Sequence, residues 1–208
     1  KGGTCLDVGA NIGNPSLHFA GHFKNVISFE PHPRTFRLLS MNAELADNIE
    51  PLNVGASTST ETVEIAEDQL NIAASSIGRA VAADSKRISF NLVRIDDVPQ
   101  VAACAHIPFM KFDVEGHEAL ALEGARETIA RHKPLVVLEV LRDEITDGSA
   151  ASLDVLRTMG YRHFYEPVAG GILGKLPRKL LKGARALTAI FTGKRPSKAE
   201  RLAPIENL

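Results

Sequence analysis

The sequence predicts an α/β domain: a doubly wound, mostly parallel sheet of Rossmann-like type, with a β-hairpin insertion after the third strand. Three observations carry this expectation. Short apolar runs rich in Val, Ile, Leu and Phe alternate with helix-length segments, the rhythm of strand–helix–strand units. The first run, Thr4-Cys5-Leu6-Asp7-Val8, passes into a turn that carries Gly9 and Gly13. The next run ends in an acid, Glu30, which lies 23 residues after Asp7, close to the ~20 expected for one such unit.

Each element follows from local chemistry. Thr4–Val8 reads as a strand, and Pro15 suits a first helical position because its fixed φ is already helical, so a helix is expected over Ser16–Phe23. Asn25–Phe29 lacks clean alternation and reads as a strand buried on both faces. Pro31 and Pro33 break the chain, and Thr35 is placed to cap a helix running to about Leu45. Leu52-Asn53-Val54 is a third short strand. From Ser57 to about Val98 the rhythm fails: Thr62–Ile65 and Ile88–Val93 alternate as exposed antiparallel strands do, around an Ala- and Ser-rich stretch, Asn71–Asp84, expected as a mobile loop. This insertion is a candidate wall for a substrate. The rhythm resumes with a strand at Pro108–Asp113, a helix at Glu118–Arg131 and a strand at Pro134–Val140. A helix at Ala151–Met159 then closes at Gly160, before a last strand at Tyr161–Tyr165.

Composition narrows the class. With 208 residues, 44% hydrophobic and 24% charged, the chain suits one folded domain with a substantial core. No apolar run approaches the roughly 18 residues of a membrane span, and no secretory signal pattern opens the sequence, so a cytoplasmic protein is expected. Cys5 and Cys104 are too far apart in pattern for a Cys-x-x-Cys site and read as plain thiols. The net charge of −1 hides an asymmetry. Residues 175–208 hold nine Lys or Arg against two Glu, a net +7, which leaves −8 on the rest. The expected organisation is a domain over 1–174 and a basic, partly helical tail over 175–208, with Leu176, Leu180, Leu181, Leu187 and Phe191 as an apolar stripe. A single aromatic residue, Phe191, lies among the tail's charges, too few to stack bases, so no nucleic-acid partner is expected.

The glycine turn reads as a nucleotide cradle in which backbone N–H groups approach a ligand and Glu30 accepts hydrogen bonds from ribose hydroxyls. It is not G-x-G-x-x-G. Asp7 ends the strand and Asn11 stands where a dinucleotide turn has its second glycine, so a pyrophosphate would meet a carboxylate. A ligand with a sulfonium and an ammonium tolerates that carboxylate, which points to S-adenosyl-L-methionine. Further along, Asp7, Glu30, Asp113 and Glu139 all fall at carboxyl ends of strands, where ligands of such sheets bind. Four acids at one edge require a cation, a metal or hydrogen-bond donors to share. Metal-ligand spacings of the His-Glu-x-x-His or Cys-x-x-Cys kind are absent, and alternate residues along a strand would diverge, so no metal is expected.

Taken in order, Asp7–Gly13, Phe29-Glu30-Pro31, Ile95-Asp96-Asp97-Val98, Lys111–Glu118 and Leu138-Glu139 resemble the FkbM family of S-adenosylmethionine-dependent methyltransferases over about residues 4–165. The resemblance implies the class I methyltransferase sheet with one reversed strand near its end. It also implies that Asp7, Gly9, Ala10, Asn11 and Gly13 face the methionine part of the cofactor, Glu30 and Pro31 its ribose, and Gly55 and Ala56 its adenine. Asn14-Pro15 departs from the aromatic residue that members often carry after the turn. A hydroxyl acceptor must lose a proton, and Asp113, Glu115, His117 and Glu139 are the groups placed to take it, with Asp113 also a cofactor contact. The expected activity is O-methylation of a small molecule, sugar or glycan. A NAD-dependent oxidoreductase and a non-catalytic binding module with a basic tail are the competing readings.

Overall fold

Parallel strands need cover on both faces, and the most apolar runs of the sequence take the middle of the sheet, where both faces are covered. The computed structural model describes residues 2–66, 87–140, 150–167, 187–191 and 202–204. In chain order the strands are β1 (Thr4–Val8), β2 (Asn25–Phe29), β3 (Ile49–Leu52), β4 (Gly55–Ala56), β5 (Glu61–Ala66), β6 (Arg87–Val93), β7 (Phe109–Phe112), β8 (Leu135–Glu139), β9 (His163–Pro167), β10 (Leu187–Phe191) and β11 (Leu202–Pro204). The helices are α1 (Asn14–Ala20), α2 (Pro33–Ala43), α3 (Pro99–Ala102), α4 (Glu118–Glu123), α5 (Arg126–His132) and α6 (Ala151–Thr158). Among the described residues no helix is long and apolar enough to cross a membrane.

The main sheet has the order β11-β9-β10-β8-β7-β1-β2-β3. From β3 to β8 every pairing is parallel, while β10 runs antiparallel to both β8 and β9, and β11 antiparallel to β9. The chain thus winds outward from β1 in both directions, as the sequence rhythm requires. The insertion forms a separate three-stranded sheet, β4-β6-β5, in which β5 and β6 make the expected antiparallel pair. The Asn71–Asp84 stretch lies outside the described residues.

Several local expectations are revised. Residues 187–191 are a strand inside the main sheet, so that part of the 175–208 segment belongs to the domain and its apolar residues are not helical there. Leu187 and Phe191 are four apart, a spacing that puts two side chains on one face of a helix or of a strand alike, and Thr188 and Ile190 between them favour the strand. Leu176, Leu180 and Leu181 lie outside the described residues. Tyr161–Tyr165 is therefore not the last strand: β9 starts at His163, and two more follow. The cap of α2 is His32, whose Nδ1 accepts from the N–H groups of Arg34 and Thr35, not the Thr35 hydroxyl. The expected helix over Glu118–Arg131 is interrupted at Gly124 and Ala125, where Ala125 leaves helical dihedrals, and the Ser57 carbonyl fills the space a side chain at 124 would need: a Cβ there would stand 1.9 Å from that oxygen. The second piece, α5, is capped from a distance by Asp96, which accepts from Glu127 N at 2.9 Å and Thr128 N at 2.8 Å.

Alternation along the central strands divides the core. Leu6, Val8, Ile27, Phe29, Met110 and Phe112 face the large cluster on one side, and Cys5 and Val26 pack with Phe19 and Ala20 of α1 on the other. On the α1 side the register also aligns three polar residues across adjacent strands, Ser28 opposite Asp7 and Asp7 opposite Lys111. All three are buried. Lys111 Nζ donates to Asp7 Oδ1 at 3.0 Å, Ser16 Oγ of α1 donates to Asp7 Oδ2 at 2.6 Å, and Ser28 Oγ donates to Ser16 Oγ at 2.9 Å. Burial alone would lower the Lys111 pKa, but Asp7 and Asp113 outweigh it and leave the ammonium more firmly protonated than usual.

Removing one member of a buried pair strands the other charge. Lys111→Met is expected to destabilise the fold by about 3–5 kcal/mol in urea unfolding, and the double variant Asp7→Asn with Lys111→Met to recover part of that loss. Equal destabilisation in the single and double variants would show that Asp7 does not depend on Lys111.

Candidate functional site

The turn after β1 is shaped by φ values that few side chains adopt: Gly9 at 78°, Asn11 at 52° and Gly13 at 91°. Its glycines serve packing. A Cβ on Gly9 would lie 1.9 Å from the Asp113 carbonyl oxygen, and one on Gly13 would lie 2.7 Å from Leu39 Cδ1, so the absent side chains clear room for the loop after β7 and for α2. The amides of the turn are also engaged. Gly9 N and Ala10 N donate to Phe29 O at 3.0 and 2.9 Å, Gly13 N donates to Ala10 O at 2.9 Å, Ile12 N donates to Asn11 Oδ1 at 2.8 Å, and Asn11 N donates to Glu30 Oε2 at 3.0 Å. Three of these amides tie the turn to the end of β2 and two close it on itself, so a pyrophosphate would find none of the five donors free.

Asp7 is engaged within the protein in the same way. Its buried carboxylate accepts from Lys111 and Ser16 and presents no surface to a ligand. Glu30 is different. Its Oε1 accepts from His32 N at 2.9 Å and its Oε2 from Asn11 N, one backbone donor for each oxygen, which leaves further lone pairs on both. Burial raises the Glu30 pKa, and the two backbone N–H groups oppose that rise. Asn53 Nδ2 donates to the carbonyls of Glu30 and Pro31 at 2.9 and 3.1 Å and so fixes the end of β2. Gly55 lies against Pro31, where a Cβ would come within 3.2 Å of Pro31 Cβ, and Ala56 is buried beside it. Glu30, Pro31, Gly55 and Ala56 are thus brought together.

The second group forms after β7 and β8. Lys111 Nζ donates to Gly9 O at 3.0 Å and stands 3.4 Å from Asp113 Oδ2, so this one ammonium links the glycine turn, Asp7 and Asp113. Past Asp113 the chain leaves the strand, and Glu115 and Gly116 adopt φ of 53° and 92°. That reversal brings together side chains that a continuing strand would separate. Asp113, Glu115 and Glu139 each place an oxygen within 4.8 Å of the others. Such spacing suits a shared proton or a hard divalent cation, and the divergence expected from strand alternation does not apply. Glu139 is hydrogen-bonded to Asp113. Burial, Asp113, and then Glu115 and Glu118 together push its pKa up from 4.5 to about 8. Burial and Asp113 raise Glu115 as well. His117 precedes α4 without capping it. Its Nε2 instead lies 3.2 Å from Ser57 Oγ, and burial lowers its pKa.

With this geometry in view, the comparisons with known proteins are informative. The model of the methyltransferase FkbM domain matches residues 7–164. The chain belongs to the FkbM methyltransferase family. Hexuronic acid methyltransferase AglP of Haloferax volcanii is 33% identical over 123 residues, 57% of this chain and 48% of that protein. The chain spans about half the length of this curated relative. Among solved structures, methyltransferase FkbM from Methylobacillus flagellatus KT aligns at a TM-score of 0.56 and 18% identity, covering 91% of this chain and 44% of that one. Fibrillarin from Aeropyrum pernix, crystallised with natively bound S-adenosyl-L-methionine, aligns at 0.53 and 12% identity, covering 91% and 66%. At these identities the two structures speak for the fold, which is the class I methyltransferase sheet.

Within the FkbM framework, three residues escape a reading of motifs alone. Lys111 was visible as a lone cation inside the apolar run Phe109–Phe112, and its register partner is Asp7. Ser16 and Ser57 carry no such signal, since each acts on a residue far away in sequence, Ser57 on His117 at a separation of 60.

The raised pKa of Glu139 has a stability consequence. The folded state holds this proton more tightly than the unfolded chain, so the contribution is complete below about 4.5 and is lost as pH rises to about 8. Glu139→Gln removes the titration. The melting temperature of the wild type should therefore fall relative to the variant between those pH values, and parallel curves would refute the assignment.

Proposed function

We propose that this chain is an S-adenosylmethionine-dependent O-methyltransferase that acts on a hydroxyl of a sugar or glycan. The observation that carries the reading is the carboxylate group at the ends of β7 and β8, with Glu139 titrating near 8. A strongly shifted acid in a cluster at the ligand edge of such a sheet is an unlikely accident of packing. Family membership and the name of the archaeal relative support the activity and the sugar class.

The residues fit the cofactor. Glu30 retains lone pairs for two ribose hydroxyls, beside Pro31, Gly55 and Ala56, which offer an apolar bed for adenine. The engaged amides of Gly9–Gly13 suit a ligand that carries no phosphate there, which also weighs against a nicotinamide dinucleotide. When bound, S-adenosylmethionine supplies an electrophilic methyl group whose leaving thioether needs no acid.

The protein's own task is then alignment and proton removal. With S-adenosylmethionine bound, Glu139 would take the O–H proton of the acceptor as its oxygen replaces the thioether sulfur on the methyl carbon, and would then release that proton to water. A base with a pKa close to the working pH is the effective choice, because it is substantially ionised yet still basic. Asp113, held by Lys111, keeps Glu139 in place through their hydrogen bond. The crowd of carboxylates would repel an acceptor carboxylate, so among the oxygens of an acidic sugar a hydroxyl is favoured.

Calorimetry with S-adenosylhomocysteine is expected to show binding that Glu30→Ala weakens by about 1–3 kcal/mol, and NADH is expected not to bind. With labelled cofactor and a panel of sugars, kcat/KM should rise with pH through about 8. Glu139→Gln should lose that limb and lower kcat by about 10²–10⁴-fold. NADH binding without S-adenosylhomocysteine binding would overturn the cofactor, and a full pH limb in Glu139→Gln would overturn the base.

A further inference from the structure

Ser57 is a buried hydroxyl that methyl transfer, as described, does not use. It follows β4, and its backbone is gripped from two sides: Ser57 N donates to Val93 O of β6 at 2.9 Å, and its carbonyl fills the space beside Gly124 between α4 and α5. The side chain therefore projects from a rigid point. It meets His117 Nε2 at 3.2 Å, in the loop that also carries Asp113 and Glu115.

A buried hydroxyl proton needs an acceptor. Among the described residues His117 Nε2 is the hydrogen-bond partner of Ser57 Oγ, and a hydroxyl proton directed there makes Nε2 the acceptor. An accepting ring nitrogen bears no hydrogen in the neutral imidazole, which places the ring proton on Nδ1. Nδ1 makes no hydrogen bond among the described residues, and His117 is half-buried, so this N–H is open to a ligand. Burial keeps the ring neutral at neutral pH.

We propose that Ser57 is a positioning residue that fixes His117 as its Nδ1–H tautomer, so that the imidazole donates a hydrogen bond to an oxygen of the methyl acceptor and takes no proton from it. The identity of the ligand rests on the methyl-transfer reading; the tautomer does not. The two groups then divide the acceptor between them. Glu139 takes the proton of the hydroxyl being methylated, and His117 donates to a neighbouring oxygen, the pattern that adjacent hydroxyls of a sugar ring provide. A site that offers both a carboxylate and a neutral donor selects vicinal diols over isolated alcohols.

Nitrogen-15 spectra of the histidine side chains test the tautomer without any acceptor, with His117→Asn used to assign the signals. The expected result is a protonated Nδ1 and an unprotonated Nε2 in the wild type, a mixture of tautomers in Ser57→Ala, and the wild-type pattern in Ser57→Thr, which keeps the hydroxyl. An Nε2–H ring in the wild type, or unmoved signals in Ser57→Ala, would overturn the proposal. Kinetics test the role. His117→Asn retains an amide N–H near the position of Nδ1 and should lose less than about tenfold in kcat/KM, the scale of one neutral hydrogen bond, with the pH limb near 8 intact. A loss of about 10²–10⁴-fold, equal to that of His117→Ala, would make His117 a base and overturn it. The correct tautomer without methyl transfer to any sugar would overturn the methyl-transfer reading; transfer with the wrong tautomer would overturn only this proposal.

Discussion

The ammonium of Lys111 is the constraint on which the site depends. It is buried among Asp7, the Gly9 carbonyl and Asp113, and those three partners come from β1, the turn that follows it and the end of β7. A lysine in that position tolerates burial only with carboxylates around it, and the carboxylates tolerate each other only because it is there. The close fit of Gly9 against the Asp113 carbonyl reinforces the same junction from the backbone side. Turn and loop are thereby locked at a single distance, so the groups expected to hold a cofactor and the groups expected to act on an acceptor share one frame.

This arrangement assigns different work to acids that look equivalent in sequence. Asp7 neutralises a lysine and accepts from Ser16, wholly inside the protein. Glu30 is tethered by two backbone amides with lone pairs left over, which leaves it able to accept from further donors. Asp113 has a cation on one side and Glu139 on the other, and Glu139, pressed by burial and by Asp113, keeps its proton to about 8. Position relative to one ammonium thus separates a paired, buried carboxylate from ones that keep lone pairs or a proton.

Much of this was legible in the residues. The alternation of apolar runs and helix-length segments led to the parallel sheet, and the antiparallel character of the insertion showed in the alternation of Thr62–Ile65 and Ile88–Val93. Of the strand-terminal acids, Asp113 and Glu139 do meet at one edge of the sheet. What escaped had a common physical cause: it depends on contacts between distant segments. The packing at Gly124 answers to a carbonyl at Ser57, and the cap on α5 comes from Asp96. The glycines of the turn announce unusual φ and close approach, a mark that does not reveal the packing of Gly9 on the Asp113 carbonyl or of Gly13 on Leu39. Residues 187–191 were misassigned because a spacing of four satisfies both the helical and the extended period.

The place of β10 carries a consequence for how the molecule is made. Leu187 pairs with Glu139, and β10 separates β8 from β9 although it is synthesised after both. While the ribosome is still producing the stretch beyond residue 167, the outer edge of β8 has no β10 to pair with, and the end of the strand that carries Glu139 is free to fray. Translation of residues 187–191 is therefore what closes that edge, so a chain terminated before them leaves Glu139 on a strand with one open side.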